Sequence, residues 1–205
     1  MIRTIAAVST LAMIAVMGGI WLATNGSDDD QFAACRASTI AGGAGAIGGS
    51  FELVSEDGET VTDQDVITEP TLLYFGYTFC PDVCPMDTAR NAEAVELLET
   101  RGISSTPAMI SIDPERDTPE VLKEFTDYLH PKMIGLTGTA AQIKAASLAY
   151  KTYFKKQEAE DEYYLVDHST FTYLVLPKHG FVEFFRRDAT PEQIADTVSC
   201  YAKNA

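Results

Sequence analysis

The stretch TLLYFGY, residues 71–77, has no charge and no alternation of apolar with polar side chains. A strand with one face in water alternates, whereas a strand buried on both faces reads as a continuous apolar run. Both sides of this segment must therefore be covered, which calls for a sheet with helices above and below. The flanking sequence supplies them. DTARNAEAVELLETRG (87–102) reads as a helix with an apolar stripe of Ala89, Ala92 and Leu97 plus Val95 or Leu98, stopped at Gly102. AMISID (108–113) is a second buried strand. Thr118-Pro119 then opens a helix through Leu129, with proline where its missing N–H does no harm.

The alternation continues to the end of the chain. MIGLTG (133–138) is a short strand, and Thr139-Ala140-Ala141-Gln142 is a capping box that starts another helix. YYLVD (163–167), FTYLVLP (171–177) and FVEFFRR (181–187) are strand candidates, the last two forming a hairpin around Lys178-His179-Gly180. Thr190-Pro191-Glu192-Gln193 is a second capping box, opening a helix that reaches Cys200. Upstream, FELVSEDGETVTD (51–63) carries two strand-like runs around Asp57-Gly58, a hairpin signal. A βαβ half followed by a ββα half, with an inserted helix between, predicts an α/β fold. It is a thioredoxin-like mixed sheet flanked by helices, with an N-terminal β-hairpin.

At 205 residues the chain suits one such domain plus an appendage. IAAVSTLAMIAVMGGIWLAT (5–24) has no charge over twenty residues, enough for a helix to cross a bilayer. Arg3 precedes it and Asp28, Asp29 and Asp30 follow, which favours an amino terminus left in the cytoplasm. A cleaved signal peptide is the competing reading, but the exit WLATNGSDDD holds no A-x-A-like site. The expected organisation is a transmembrane anchor at 1–24, an Ala/Gly-rich lead-in at 25–47 and the globular domain at 48–205. The expected place is a bacterial inner membrane, crossed once, with the domain in the periplasm. A net charge of −15 excludes a nucleic-acid binder, which needs a basic footprint. Four cysteines are too few for a disulfide-built miniprotein, so each pair needs its own explanation.

Cys80 and Cys84 lie in YFGYTFCPDVCPMD (74–87), in the first βα loop, at the end of a central strand where sites gather in open α/β sheets. Four residues apart at the mouth of a helix, two side chains share a face, one turn above the other, and their sulfurs converge on one atom. The helix N-terminus favours thiolate over thiol. Two thiolates make a soft-metal site that selects Cu(I) or zinc. A plain Cys80–Cys84 disulfide is the competing reading, since Cα atoms about 6 Å apart are within bridging range. A bridge closing so short a loop restrains little of the unfolded chain, so a redox-active or metal-binding pair is the better reading.

A structural zinc site would need four protein ligands. His168, in YLVDHST, is the one strong third candidate, with Asp167 beside it to orient the ring or sit near the metal. Position alone favours an ordinary core or surface histidine. His130 before Pro131 is explained by a helix end, His179 by an exposed turn, and Met86 by packing.

Taken together, YFGYTFCPDVCPMD, ISIDPERDTPEVLKEF, HPKMIGLTGT and YLVDHSTFTYLVLP closely resemble the Sco/SenC family. These are membrane-tethered, thioredoxin-fold copper proteins of cytochrome c oxidase assembly. The likeness spans about residues 48–198 in the expected order, departing at Glu69-Pro70, where members often have Gly-Lys. The resemblance implies that Cys80, Cys84 and His168 are ligands of copper, as Cu(I) or Cu(II). It also implies a metallochaperone rather than an enzyme. Such a protein supplies copper to the dinuclear copper centre of cytochrome c oxidase subunit II, or keeps the cysteines of that centre reduced. Another periplasmic copper chaperone or thiol reductase is a further expected partner.

Cys35 and Cys200 fall outside the family motif. One precedes the domain and the other lies in its last helix, so the expectation is a structural disulfide between them, closing a very long loop. The alternative function is a thiol–disulfide oxidoreductase using the Cys80–Cys84 pair, or a redox or copper sensor using the same residues. Thioredoxin-type reductases place a cis-proline beside the cysteines. Here no residue from 166 to 176 is proline, and His168 occupies that neighbourhood.

Overall fold

The computed structural model describes residues 13–19, 31–38, 44–159 and 163–205. The chain divides into two units, Met1–Ala33 and Ala34–Ala205. In the first, residues 13–19 are helical. Most of the predicted anchor lies outside the described residues, and among those described no helix is long and apolar enough to cross a membrane.

The second unit is built on a seven-stranded sheet of order β2-β1-β5-β4-β3-β8-β9. Its strands are β1 (Glu52–Ser55), β2 (Thr60–Thr62), β3 (Thr71–Gly76), β4 (Thr106–Ser111), β5 (Ile134–Thr137), β8 (Thr172–Leu176) and β9 (Gly180–Phe185). The strands β6 (Phe154–Lys156) and β7 (Val166–His168) form a separate antiparallel ribbon. The helices are α1 (Asp63–Val66), α2 (Val83–Thr100), α3 (Pro119–Leu129), α4 (Ala140–Ala149) and α5 (Pro191–Asn204).

The three central strands β3, β4 and β5 run parallel, as right for strands joined by helical crossovers. β8 pairs antiparallel to β3, with Tyr74 opposite Thr172. Every residue of β3, β4 and β8 is buried, which is the physical basis of their unbroken apolar reading. The N-terminal hairpin β1–β2 pairs through Leu53 and Val61, and Gly58, at φ +79°, makes its turn.

Three helices, α3, α4 and α5, start where a side-chain oxygen takes up a free backbone N–H group. Thr118, Thr139 and Thr190 each accept from the N–H three residues on, and the last two complete capping boxes with Gln142 and Gln193. Helix α2 stops at Gly102, at φ +75°, whose N–H bonds back to the Glu99 carbonyl. Its buried face is Ala92, Val95 and Leu98, whereas Ala89 is exposed and Leu97 half-buried. The stripe turns that way because the polar side chains Asp87, Thr88 and Asn91 are buried with it.

One covalent tie closes this unit. Cys35 and Cys200 form a disulfide with Cα atoms 5.6 Å apart across a separation of 165 residues.

Candidate metal centre

The cysteine side of the site is where β3 gives way to α2. The helix, expected from residue 87, begins at Val83. Cys84 and Pro85 therefore occupy its first turn, and Cys80 stays in the loop ahead of it. The two cysteines do not stack one helical turn apart, as the spacing had predicted. Instead the loop folds back, and the N–H of Cys84 donates to Cys80 Sγ at 3.3 Å. First-turn N–H groups have no carbonyl partner within the helix, so a sulfur placed there gains a donor. Pro85 has no N–H to lose in that turn.

The histidine side is the β6–β7 ribbon, in which His168 pairs opposite Phe154. β6 was not expected, because Phe154-Lys155-Lys156 offers no apolar alternation and leaves both lysines exposed. His168 Nδ1 lies 2.9 Å from the Ser169 carbonyl oxygen. A carbonyl only accepts, so Nδ1 carries a proton and donates, and Nε2 is the ring atom turned toward the cysteines, where it would bind a metal. Asp167 does not orient the ring. Successive strand residues point to opposite faces, and Asp167 is exposed, accepting from Gln157 Nε2 at 2.7 Å.

The two sides converge. Cys84 Sγ is 3.3 Å from His168 Nε2. The three ligand atoms of Cys80, Cys84 and His168 lie within 4.8 Å of one another, the one such group of His, Cys, Asp and Glu among the described residues. Both cysteines are buried and unbonded to each other, and His168 is half-buried, so the cluster opens to solvent on the histidine side. Tyr74 and Tyr77 present edge-on rings to the imidazole, with centroids at 6.1 and 5.8 Å. The Tyr77 hydroxyl accepts from the Val166 N–H at 3.2 Å, tying the ribbon to the end of β3.

The cysteines are electrostatically unlike. A hydrogen bond from Cys84 is the largest influence holding Cys80 down at about 3, against the cost of its burial. His168 and the N–H groups of Asp82 and Cys84 help. Cys84 is driven up by the same pairing with Cys80 and by its burial. In the copper-free, reduced pair the thiolate is therefore favoured on Cys80 and the thiol on Cys84. Beneath Cys84, Tyr74 donates to Asp87 Oδ2 at 3.1 Å, and burial above all, with the Asp87 carboxylate beside it, raises its own pKa. Asp87 also meets Arg90 and Arg187 at 3.5 and 3.4 Å, so its buried carboxylate is neutralised.

The other candidates lie elsewhere in their roles. His130 is buried, and its Nδ1 accepts from the Lys132 N–H at 3.1 Å. His179 and Met86 are exposed. Tyr74, Tyr77 and Ser169 went unnoticed in the sequence. The two tyrosines read there simply as apolar strand residues, and a carbonyl partner leaves no mark in residue type.

A thioredoxin-like sheet with a Cys/Cys/His cluster that could hold a metal ion, where β3 passes into α2, defines a protein of the thioredoxin-like class. The comparisons narrow this further. The SCO1/SenC family model matches residues 41–203. Protein SenC of Rhodobacter capsulatus is 55% identical over 203 residues, covering 97% of this chain and 90% of that protein. The mitochondrial SCO1 homolog 1 of Arabidopsis thaliana is 42% identical, over 76% of this chain and 47% of its own length. Among solved structures, copper-bound ScoI of Arabidopsis thaliana superposes with a TM-score of 0.73 at 41% identity, over 77% of this chain and 99% of that one. Copper-bound ScoI of Bradyrhizobium japonicum gives 0.69 at 37% identity, over 76% of this chain and 99% of that one. The chain belongs to the SCO1/SenC family.

Proposed function

We propose that this protein is a copper-binding metallochaperone of cytochrome c oxidase assembly, holding its cargo between Cys80, Cys84 and His168. The observation that carries the reading is the convergence of two sulfurs and an imidazole nitrogen within 4.8 Å. Thiolates suit Cu(I), and imidazole beside them suits copper in either state. Relatives support the choice of metal, since the Arabidopsis and Bradyrhizobium ScoI structures hold copper. BsSco, 28% identical, is described as a member of the Sco family of cytochrome c oxidase assembly proteins.

Three ligands leave the shell open to a ligand from the receiving protein, and the half-buried His168 is the side from which it enters. The receiving protein in this reading is oxidase subunit II, at its dinuclear copper centre. The chain is held in a bacterial inner membrane by residues 5–24, with the domain in the periplasm. The uncharged run and the acidic residues after it support that placement.

A second reading is favoured by the unequal cysteines and by the disulfide switch identified in BsSco. The Cys80 thiolate attacks one sulfur of a partner's disulfide and displaces the other as a thiolate. Cys84, losing its proton, then displaces the first, so the partner gains two electrons and Cys80–Cys84 becomes a disulfide.

One experiment tests the main reading. The purified chain is titrated with Cu(I) and Cu(II) against competing chelators, alongside His168→Ala. Loss of at least tenfold in Cu(II) affinity supports the three-ligand site. Unchanged copper binding in His168→Ala overturns it, while an unchanged thiol-exchange rate in that variant is expected for either reading.

A further inference from the structure

The β6–β7 ribbon shares no backbone ladder with the seven-stranded sheet that carries the cysteines. Beyond the short link from His168 to Thr172 in β8, the ribbon is held against the cysteine side by side-chain contacts, and several of these converge on one loop. Residues 113–117, which follow β4, reach both halves of the site.

Toward the cysteines, the Asp117 carboxylate accepts from the Thr78 N–H at 3.1 Å and the Thr78 hydroxyl at 2.6 Å. It also accepts from Ser111 Oγ at 2.5 Å. Thr78 stands two residues before Cys80. Toward the histidine, the Tyr164 hydroxyl donates to Asp113 at 2.7 Å, and Lys156 pairs with Glu115 at 2.6 Å. Lys156 ends β6, and Tyr164 stands two residues before β7, the strand that carries His168.

Arg116 joins the two sides. Its guanidinium carbon is 3.6 Å from the centre of the Tyr164 ring, 4.8 Å from Phe79 and 5.7 Å from Tyr77. Its Nε donates to Asp113 at 2.5 Å, which fixes the plane of the fork against the rings. Phe79 is the neighbour of Cys80, and Tyr164 lies four residues from His168.

We propose that Arg116 is a positioning residue for the metal centre, stacked between the cysteine loop and the histidine ribbon so that it sets how closely His168 approaches the two sulfurs. This rests on the copper reading above and deepens it. Two thiolates alone hold Cu(I), whereas Cu(II) needs the imidazole as well. Loosening the ribbon therefore costs Cu(II) affinity and spares Cu(I).

The test uses the full chain with Arg116→Gln and Arg116→Lys. Copper-free protein is followed by amide hydrogen exchange, and loaded protein by Cu(I) and Cu(II) competition and by the Cu(II) charge-transfer absorption. Arg116→Gln is expected to lose at least tenfold in Cu(II) affinity and to shift the absorption, with Cu(I) changed less than threefold. Exchange at Gln157 and Val166 is expected to quicken at least tenfold, with that of Leu73 in β3 unchanged. Arg116→Lys, which keeps the charge but not the planar fork, is expected to fall between. Equal losses for the two oxidation states, or unchanged exchange in the ribbon, would overturn the proposal. If Arg116→Gln does not fold, Tyr164→Leu, which removes the other half of the stack, decides by the same criteria. If the unaltered chain takes up no copper, the copper reading fails by itself, and ribbon exchange alone judges whether Arg116 holds the histidine in place.

Discussion

Cys84 Sγ stands 3.3 Å from His168 Nε2, although 84 residues of chain separate them. Cys80 Sγ accepts from the Cys84 N–H at 3.3 Å. Cys80 is held down at about 3 from an ordinary value of 9.0. The copper-free, reduced protein is therefore expected to show the far-ultraviolet absorbance of one thiolate at about pH 5, where an ordinary cysteine is a thiol. The sign for stability follows from proton counting. Between about pH 3 and pH 9 the unfolded chain keeps the Cys80 proton and the folded chain does not, so this group stabilises the fold increasingly as pH rises and less as pH falls toward 3. Cys84, shifted upward, acts oppositely: above pH 9.0 it ionises only when unfolded, and stability falls again. Cys80→Ser should abolish the absorbance and flatten the acid limb. No thiolate signal at about pH 5 in the unaltered protein would contradict the assignment.

Gly76 ends β3 directly beneath the site. A Cβ there would lie 2.6 Å from Tyr74 Cε1 and 3.1 Å from Cys84 Sγ. Tyr74 is fully buried against α2 and has nowhere to retreat. Gly76→Ala is expected to cost about 1–3 kcal/mol in chemical denaturation, as over-packing of a dense core does. It should also weaken copper binding, because the ring and the sulfur must move together. Gly45, whose added Cβ meets nothing within 4 Å, is the control, with Gly45→Ala expected within about 0.5 kcal/mol of the unaltered protein.

Much of this architecture was legible in residue pattern, for local reasons. β3 and β4 announce themselves because burial on both faces removes every reason for alternation. Thr139 and Thr190 mark helix starts because the cap and its glutamine partner lie three residues apart in sequence. Helix α2 begins at Val83, four residues ahead of the run that reads as helical from 87. Pro85 is harmless in a first turn and so carries no boundary information there. The buried polar residues Asp87, Asn91 and Asp117 were invisible for a different reason. A polar side chain reads as surface until its partners are known, and theirs, Tyr74, Thr172 and Thr78, come from other elements. Asp167 shows the opposite error, because adjacency in sequence suggested a contact that strand alternation forbids. His168 could be read as a ligand only through the family resemblance, since spacing says nothing about a residue brought in by a separate ribbon.

The Cys35–Cys200 disulfide links the lead-in to the last helix across a separation of 165 residues. In the chain-entropy account, a loop this long confers nearly the full benefit a single bridge offers, and removing a native bridge costs about 2–5 kcal/mol. Cys35→Ser with Cys200→Ser is expected to lower unfolding stability within that range. Reduction of the unaltered protein should reproduce the loss, and reductant should leave the double variant unchanged. Equal stability of the oxidised protein and the double variant would show that the bridge constrains nothing of consequence.

Glu183 in β9 is 1% exposed, and its carboxylate faces the same lead-in. It accepts from the Ala37 N–H at 2.9 Å, the Ser38 N–H at 3.4 Å, the Ser38 hydroxyl and the Tyr201 hydroxyl at 3.5 Å. Truncating it removes the acceptor and leaves donors partly buried without it, which costs about 1–3 kcal/mol for such groups. Glu183→Ala is expected to destabilise by that amount and to expose residues 36–38 to limited proteolysis. Glu183→Gln keeps one oxygen but turns an NH2 toward donors, so it should recover only part of the loss. The carboxylate and the disulfide hold one segment, so their effects should not add. In the Cys35→Ser, Cys200→Ser background the lead-in is already loosened, and Glu183→Ala should cost measurably less there than in the bridged protein. Full additivity in that double-mutant cycle would mean that the two ties act on separate parts of the fold.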